Sequence, residues 1–173
     1  MTIEPAVGAE GQAPVTISHL LGEMTWLLGQ SPRHRTMTIG DLETLIMPPL
    51  IHQQFYIFRE GARPVGLALW ARCDRLTEMK LERGIARAGD RLSLEEWNSG
   101  DALWLVELVA PFADAENNHR EIMFADLITG PLARQAFKFH ETDPATGERR
   151  VRETPADAGE QLTRMLEAAF SRH

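Results

Sequence analysis

The residue best placed for acid–base chemistry is a histidine in an unusual setting. The stretch S-P-R-H-R, residues 31–35, puts His34 between two permanent cations, directly after an apolar, helix-like run. A flanking positive charge disfavours the imidazolium form, so this pattern predicts a neutral imidazole that can accept a proton. The sequence therefore predicts a general base at His34.

A carboxylate inside the most strand-like run is the second candidate. In L-W-L-V-E-L-V, residues 103–109, alternation along a strand predicts that Leu103, Leu105, Glu107 and Val109 share one face. A carboxylate among apolar side chains is unfavourable unless it is paired, hydrogen-bonded or faces a cleft. Two interpretations stay open: Glu107 pairs with an arginine near a solvated sheet edge, or it orients an imidazole or takes a proton itself. In the second case we expect its apolar neighbours to raise its pKa.

The hydrophobic pattern predicts the helices and strands that must position these residues. Helical spacing predicts helices over 16–29, 40–47, 75–85, 116–128 and 157–171, the second ending at Pro48-Pro49. Strand-like runs at 55–58, 65–71, 103–109, 136–140 and 149–152 predict two hairpins around a central strand. Ser93 and Glu96 have capping-box spacing for one more short helix. We expect a single α/β (α+β) domain over residues 15–173, with a mixed, mostly antiparallel sheet flanked by helices, after a flexible segment at 1–14.

Composition argues against several classes of protein. The net charge of −7 argues against general nucleic-acid binding. No apolar run approaches the roughly 18 residues of a transmembrane segment, and M-T-I-E-P-A-V-G-A-E lacks the basic start and apolar core of a signal peptide. The single cysteine, Cys73, excludes an internal disulfide and fits a reducing cytoplasm. The other histidines match no metal-ligand spacing, so no metal is expected.

The segment after the strand at 103–109 joins it to a predicted helix, and such strand–turn–helix units bind phosphate groups in some enzymes. In acyltransferases that use coenzyme A, a glycine-rich turn holds the pyrophosphate at a helix N-terminus. Here the connection A-P-F-A-D-A-E-N-N-H-R has no glycine, and its Asp114 and Glu116 would repel a pyrophosphate. If the unit serves acyl transfer, it favours a donor without a free pyrophosphate, such as the phosphopantetheine arm of an acyl-carrier protein.

Four stretches together resemble the RTX toxin-activating lysine acyltransferases, the family of the hemolysin-activating acyltransferase. They are W-L-L-G-Q-S-P-R-H-R (26–35), R-P-V-G-L-A-L-W-A (63–71), E-E-W-N-S-G-D (95–101) and L-W-L-V-E-L-V-A-P-F (103–112). The resemblance covers residues 18–155 and implies an acetyltransferase-like (GNAT-like) fold. It also implies a cytoplasmic, homodimeric enzyme that transfers a fatty acyl chain from acyl-carrier protein to internal lysines of an RTX protoxin, activating it.

The resemblance assigns roles to three residues. The family's essential histidine falls on His34 and its neighbouring serine on Ser31. The family's aspartate falls on Glu107, which keeps the charge but moves the carboxylate by about one methylene. We expect His34 to deprotonate the incoming lysine while Glu107 orients the imidazole or stabilises its cation. Attack by His34 itself, which would form an acyl-imidazole, is the open alternative.

A group of arginines is the candidate docking site for the acidic carrier protein, although a solvated hairpin explains most of them equally well. It consists of Arg33, Arg35, Arg149, Arg150 and Arg152. Acyl-carrier protein is expected as a co-substrate, with no bound cofactor. Two other functions stay open: a GNAT-like N-acyltransferase that uses acyl-CoA on another amine, and a non-catalytic domain that binds carrier protein or toxin. The tryptophans at 26, 70 and 104 are assigned to the core rather than to acyl-chain contacts.

Overall fold

The computed structural model describes residues 15–85, 90–143 and 145–171, so the flexible segment predicted at 1–14 lies outside the described residues. The helices are α1 (Ile17–Gln30), α2 (Leu42–Leu45), α3 (Met47–His52), α4 (Arg75–Arg83), α5 (His119–Thr129) and α6 (Ala158–Phe170), and a 3-10 turn spans Ile39–Asp41. The strands are β1 (Phe55–Glu60), β2 (Arg63–Cys73), β3 (Ala102–Val109), β4 (Phe137–Thr142) and β5 (Arg149–Thr154).

The five strands form one mixed sheet in the order β1-β2-β3-β4-β5. All neighbouring pairs are antiparallel except β3 and β4, which are parallel. The predicted fold class, a mostly antiparallel mixed sheet flanked by helices, is therefore confirmed, and the architecture is consistent with a GNAT-like fold. Within the described residues, no helix is long and apolar enough to cross a membrane.

Two apolar clusters cover the two faces of the sheet. The cluster on one face joins α1, α3 and α4 to the sheet through Met24, Leu27, Leu50, Leu81 and Trp104. The cluster on the other face joins α5 to it through Met123, Leu127, Leu105, Trp70 and Phe137. The core assignment is confirmed for Trp70 and Trp104 but is wrong for Trp26, which is 43% exposed.

A β-bulge in β3 sets the direction of the candidate carboxylate. Leu69 of β2 pairs with Glu107, but the next residue, Trp70, pairs with Leu105, so Val106 is an extra residue in β3. Leu105 packs in the cluster that joins α5 to the sheet. Glu107 instead lies opposite Leu69, whose side chain belongs to the cluster on the other face, with α1, α3 and α4. The prediction that Glu107 shares a face with Leu105 is wrong, because strict alternation holds only in an unbroken strand. Bulges of this kind often re-aim a side chain beside an active site.

The ladder between β3 and β4 is short. Its pairs are Trp104 with Lys138 and Leu105 with Phe139. The two strands separate beyond Leu105, the residue just before the bulge. The sheet therefore opens next to Glu107.

Two helix signals in the sequence have a different outcome in the structure. Pro48 and Pro49 lie in the first turn of α3, which begins at Met47, instead of ending the preceding helix. Proline is tolerated in a first helical turn because its missing N–H has no partner to lose there. Ser93 and Glu96 make both capping-box hydrogen bonds, at 2.8 and 3.3 Å. Those bonds close a turn over 94–97, not a helix.

The W-N-S-G-D stretch fixes the entry of the chain into β3. Ser99 Oγ accepts a hydrogen bond from the Asp74 N–H at 3.0 Å. A Cβ atom on Gly100 would lie 2.5 Å from the Cys73 carbonyl oxygen, so only glycine fits there. This motif therefore locks β3 against the start of α4, which is a structural role.

Candidate active site

The turn after α1 holds the two polar residues of the S-P-R-H-R stretch close together. Ser31 caps the helix by donating its N–H to the Leu28 carbonyl at 3.1 Å. The carbonyl of Ser31 then accepts the N–H groups of His34 and Arg35, at 3.0 and 2.9 Å. This tight turn leaves Ser31 Oγ 2.8 Å from His34 Nδ1. Both residues are only 7% exposed.

Ser31 and Glu107 lie on opposite edges of the imidazole. Glu107 Oε1 is 3.6 Å from His34 Nε2, beyond hydrogen-bonding distance, and 3.4 Å from Arg33 Nη1. A serine hydroxyl can accept as well as donate. When Nδ1–H donates to Ser31 Oγ, the lone pair of Nε2 faces Glu107 and is free to take a proton. The residue within hydrogen-bonding distance of the ring is thus Ser31, whereas Glu107 faces the nitrogen that can act as base.

The charge state of Glu107 differs from the sequence expectation. Burial raises the pKa of its carboxyl, but the imidazole of His34 and the charges of Arg33 and Arg120 outweigh burial. The pKa of Glu107 therefore lies below its ordinary value of 4.5. The expected raised pKa is wrong because it took account of the apolar neighbours alone. Glu107 is a carboxylate at neutral pH, able to attract an ammonium group and to stabilise an imidazolium.

Two cavities meet at Glu107. The smaller cavity, of about 290 Å³, lies on the α2–α4 side of the sheet and reaches His34. The larger groove, of about 1120 Å³, lies between β3 and the β4–β5 hairpin and is walled by α5. Both cavities border the bulge and the opening between β3 and β4. The residues that line both of them are Arg33, Leu105, Val106, Glu107, His140 and Arg149.

The arginines predicted to bind the carrier protein separate into two groups. Arg33 and Arg149 line both cavities. Arg150 and Arg152 lie on the exposed edge strand β5, where each pairs with a glutamate of its own hairpin, at 2.8 and 2.7 Å. Arg35 is exposed and lies outside the residues that line the cavities. The fold therefore brings two of the five arginines to the cleft.

The turn between β3 and α5 uses its own side chains to bind its backbone amides. Asp114 Oδ1 accepts the N–H groups of Glu116 and Asn117, at 2.8 and 2.9 Å. Asn117 Oδ1 in turn accepts the N–H of His119 at 3.0 Å. This self-capped turn explains why α5 begins at His119, three positions later than the predicted start at 116. Amides engaged in this way are not free to hold a pyrophosphate.

The sequence interpretation missed His140. This residue lines both cavities. Its Nε2 donates to the Leu81 carbonyl at 2.7 Å, and its ring packs against Trp104 at a centroid distance of 5.7 Å. Alternation in F-K-F-H, residues 137–140, is the signal that predicts it on the face opposite Phe137 and Phe139.

Other reactive groups contribute little to this site. Cys73 is 1% exposed, and burial, with help from the nearby charge of Glu78, raises the pKa of its thiol to about 12. Such a thiol is a poor acyl acceptor, because only the thiolate is nucleophilic. In residues 15–85, 90–143 and 145–171, no group of three or more His, Cys, Asp or Glu side chains is arranged to hold a metal ion.

Comparison with known proteins points to one family. The model of the HlyC family, described as the RTX toxin acyltransferase family, matches residues 13–155. The RTX-III toxin-activating lysine-acyltransferase ApxIIC of Actinobacillus pleuropneumoniae is 32% identical over 100 residues, which are 58% of this chain and 56% of that protein. The leukotoxin-activating lysine-acyltransferase LktC of Pasteurella haemolytica-like sp. (strain 5943B) is 34% identical over 98 residues, 57% of each chain.

A third relative is named for the acyl group it transfers. The protein-lysine myristoyltransferase RtxC of Kingella kingae is 30% identical over 108 residues, covering 61% of this chain and 62% of that protein. The chain thus spans less than two thirds of the length of each of these relatives.

Proposed function

This chain belongs to the HlyC, or RTX toxin acyltransferase, family, and from that membership and the geometry of the cleft we propose that it is a protein-lysine fatty acyltransferase. The donor that we propose is an acyl-carrier protein, and the acceptors are internal lysines of an RTX-type protoxin, which acylation activates. The observation that carries the proposal is the pairing of His34 Nε2 with Glu107 Oε1 across 3.6 Å, where the two cavities meet.

The site supplies what a lysine needs before it can attack a thioester. A free lysine side chain, with a pKa of about 10.4, is almost wholly protonated at neutral pH. Glu107 attracts the ammonium group, and the lone pair of His34 Nε2 takes one of its protons. A base positioned in this way contributes roughly 10² to 10⁴ in rate. Ser31 acts through the ring, because its bond to Nδ1 keeps the accepting nitrogen directed at the substrate.

The reaction follows as direct transfer. The neutral amine attacks the thioester carbonyl, so that a C–N bond forms and the C–S bond breaks. The amine loses two protons in all: one leaves with the thiol of the phosphopantetheine arm, and the other passes through His34 to solvent. Glu107 stabilises the imidazolium while His34 holds the proton.

The alternative route passes through an acyl-imidazole on His34. In that route Nε2 attacks the thioester first, and the lysine then displaces the imidazole. Incubating the enzyme with donor alone, followed by acid quenching and intact-mass measurement, distinguishes the two. Direct transfer predicts no mass increase at His34, whereas the covalent route predicts an increase equal to the acyl group.

Two features support a carrier protein over coenzyme A as donor. Asp114 and Asn117 engage the backbone amides of Glu116, Asn117 and His119 in the β3–α5 turn, so these three amides are not free to hold a pyrophosphate. Arg33 and Arg149, at the junction of the cavities, are suited to the single phosphate of a phosphopantetheine arm, because the guanidinium fork matches phosphate oxygens.

The remaining expectations about assembly and location are part of the same proposal. We propose a homodimer by family analogy and a cytoplasmic location, which suits a carrier-protein donor. Sedimentation velocity of the purified chain tests the first, and fractionation of cells that produce it tests the second.

The deciding experiment compares donors and then follows transfer. Calorimetry with a medium- or long-chain acyl-carrier protein, and with the matching acyl-CoA, should show preferential, salt-sensitive binding of the carrier form. Mass spectrometry of an RTX-type protein incubated with enzyme and donor should show acylated lysines. We expect His34→Ala to lower the rate at least about 10²-fold and the matched control His52→Ala, on α3, to leave it unchanged. Binding of acyl-CoA alone refutes the donor, and full activity of His34→Ala refutes the base.

A further inference from the structure

The structure assigns the two cavities to different parts of the reaction, and we propose that the smaller cavity is the binding site for the fatty acyl chain. The acyl chain would extend from the junction at Glu107 toward α2 and α4, with the thioester carbonyl beside His34. This inference rests on the proposed acyl transfer, and it adds where the acyl chain lies and which acyl-chain length fits.

The walls of the smaller cavity suit an alkyl chain. Leu81, Leu92 and Trp104, which line it, are at most 2% exposed, and Leu45 of α2 adds a further apolar side chain. Arg91 also lines the cavity, but its guanidinium is already paired with Asp41. The charge at this wall is therefore compensated, and six of the nine described residues that line the cavity away from the junction are apolar.

The larger groove is better suited to the acceptor. Besides Glu107 it is lined by Glu121 and by Glu141, which pairs with Arg152 at 2.7 Å, and also by Arg33, Arg120 and Arg149. Glu107 is the one carboxylate among the described residues that line the smaller cavity. A cationic lysine is attracted by Glu107 and Glu121, while an alkyl chain gains nothing from a charged carboxylate. At about 1120 Å³ the groove is also wide enough for a segment of polypeptide.

The volume of the smaller cavity sets an expected chain length. A methylene group is similar in size to a water molecule, whose share of liquid volume is about 30 Å³. A cavity of about 290 Å³ therefore holds roughly ten methylenes. We expect a preference for acyl groups of this length, with each methylene that no longer fits weakening binding about fourfold.

Variants of Leu45 test the site through chain-length preference. Transfer is measured with a series of acyl-carrier proteins that differ in chain length. Leu45→Phe should move the preferred length to shorter chains and Leu45→Ala to longer chains. The matched control is Ala125→Phe, which adds the same ring to the larger groove and should leave the preferred length unchanged. A profile that shifts with Ala125→Phe but not with the Leu45 variants overturns the proposal.

A binding measurement separates this inference from the proposed function, because it needs no turnover. Trp104 lines the smaller cavity, so an ω-brominated decanoyl thioester of pantetheine should quench its fluorescence on binding. Trp104→Phe should lose that quenching while calorimetry shows that the probe still binds. Quenching without transfer to any acceptor rejects the proposed function and keeps the acyl site. Absence of binding, or binding without quenching, overturns the acyl site.

Discussion

Shortening the carboxylate at position 107 tests the geometry of the site directly. Glu107→Asp removes one methylene and withdraws the carboxylate by about 1.5 Å, one C–C bond length. The distance to His34 Nε2 then grows from 3.6 Å to about 5 Å. The charge is kept, so the substitution changes distance alone.

The expected loss follows from Coulomb's law. At an effective dielectric constant of about 20, the attraction between a carboxylate and an imidazolium weakens by about 1.3 kcal/mol over this change of distance. That difference corresponds to about a tenfold lower rate for a step in which His34 carries the proton. Glu107→Gln removes the charge altogether, and we expect a loss of about 10² to 10³, as for other groups that stabilise charge in a transition state.

The assay is single-turnover transfer from acyl-carrier protein, with circular dichroism and thermal unfolding to establish that each variant is folded. Glu116→Asp is the matched control, because it makes the same chemical change in the exposed turn before α5. A rate for Glu107→Asp within twofold of the unchanged enzyme would show that Glu107 does not act on His34 through this distance. The same rate for Glu107→Gln would remove the residue from the mechanism.

Three further outcomes follow from the packing and charges. Folding lowers the pKa of Glu107, so its contribution to stability is present above pH 4.5 and is lost as the pH falls below that value. In urea titrations at decreasing pH, the free energy of unfolding should therefore fall more steeply for the unchanged protein than for Glu107→Gln. Gly100→Ala forces a Cβ against backbone and should destabilise the fold by about 1–3 kcal/mol in urea titrations, whereas Gly22→Ala, in an open helical position, should stabilise it by about 0.5–1 kcal/mol. The hydrogen bond to Glu78 raises the pKa of Lys138, so Glu78→Gln should speed acetylation of Lys138 by an N-hydroxysuccinimide ester, measured by mass spectrometry; an unchanged rate would mean that the ion pair does not protect this lysine.

The sequence predicts the sheet and most helices because their signals are local. The helix predicted at 16–29 lies at Ile17–Gln30, and the strand predicted at 103–109 lies at Ala102–Val109. The spacing of apolar residues over three or four helical turns, or over a whole strand, indicates which face is buried. In these elements tertiary packing does not override that local preference. The helix starts near the prolines and before α5 were harder to predict, because they depend on which backbone groups find partners.

The sequence could not predict which face of the sheet Glu107 occupies, for a different reason. Nothing in L-W-L-V-E-L-V marks Val106 as an extra residue, because valine suits a regular strand as well as a bulge. The bulge exists only through the pairing of β3 with β2, where Leu69 and Trp70 oppose Glu107 and Leu105. Identifying Glu107 as unusual was possible from its apolar neighbours, but its face depends on the pairing of β3 with β2, and its pKa depends on the turn after α1 and on Arg120 of α5.

The same extra residue connects the two halves of the site. Because Val106 reverses the alternation, Leu105 stays in the core under α5 while Glu107 turns toward His34. The ladder between β3 and β4 ends at Leu105, so the sheet opens at the point where the carboxylate changes face. A regular β3 would turn Glu107 toward the cluster under α5, away from His34. The proposed catalytic pair and the opening between the strands therefore depend on one local irregularity, which explains how a carboxylate and an imidazole come to lie where the smaller cavity meets the larger groove.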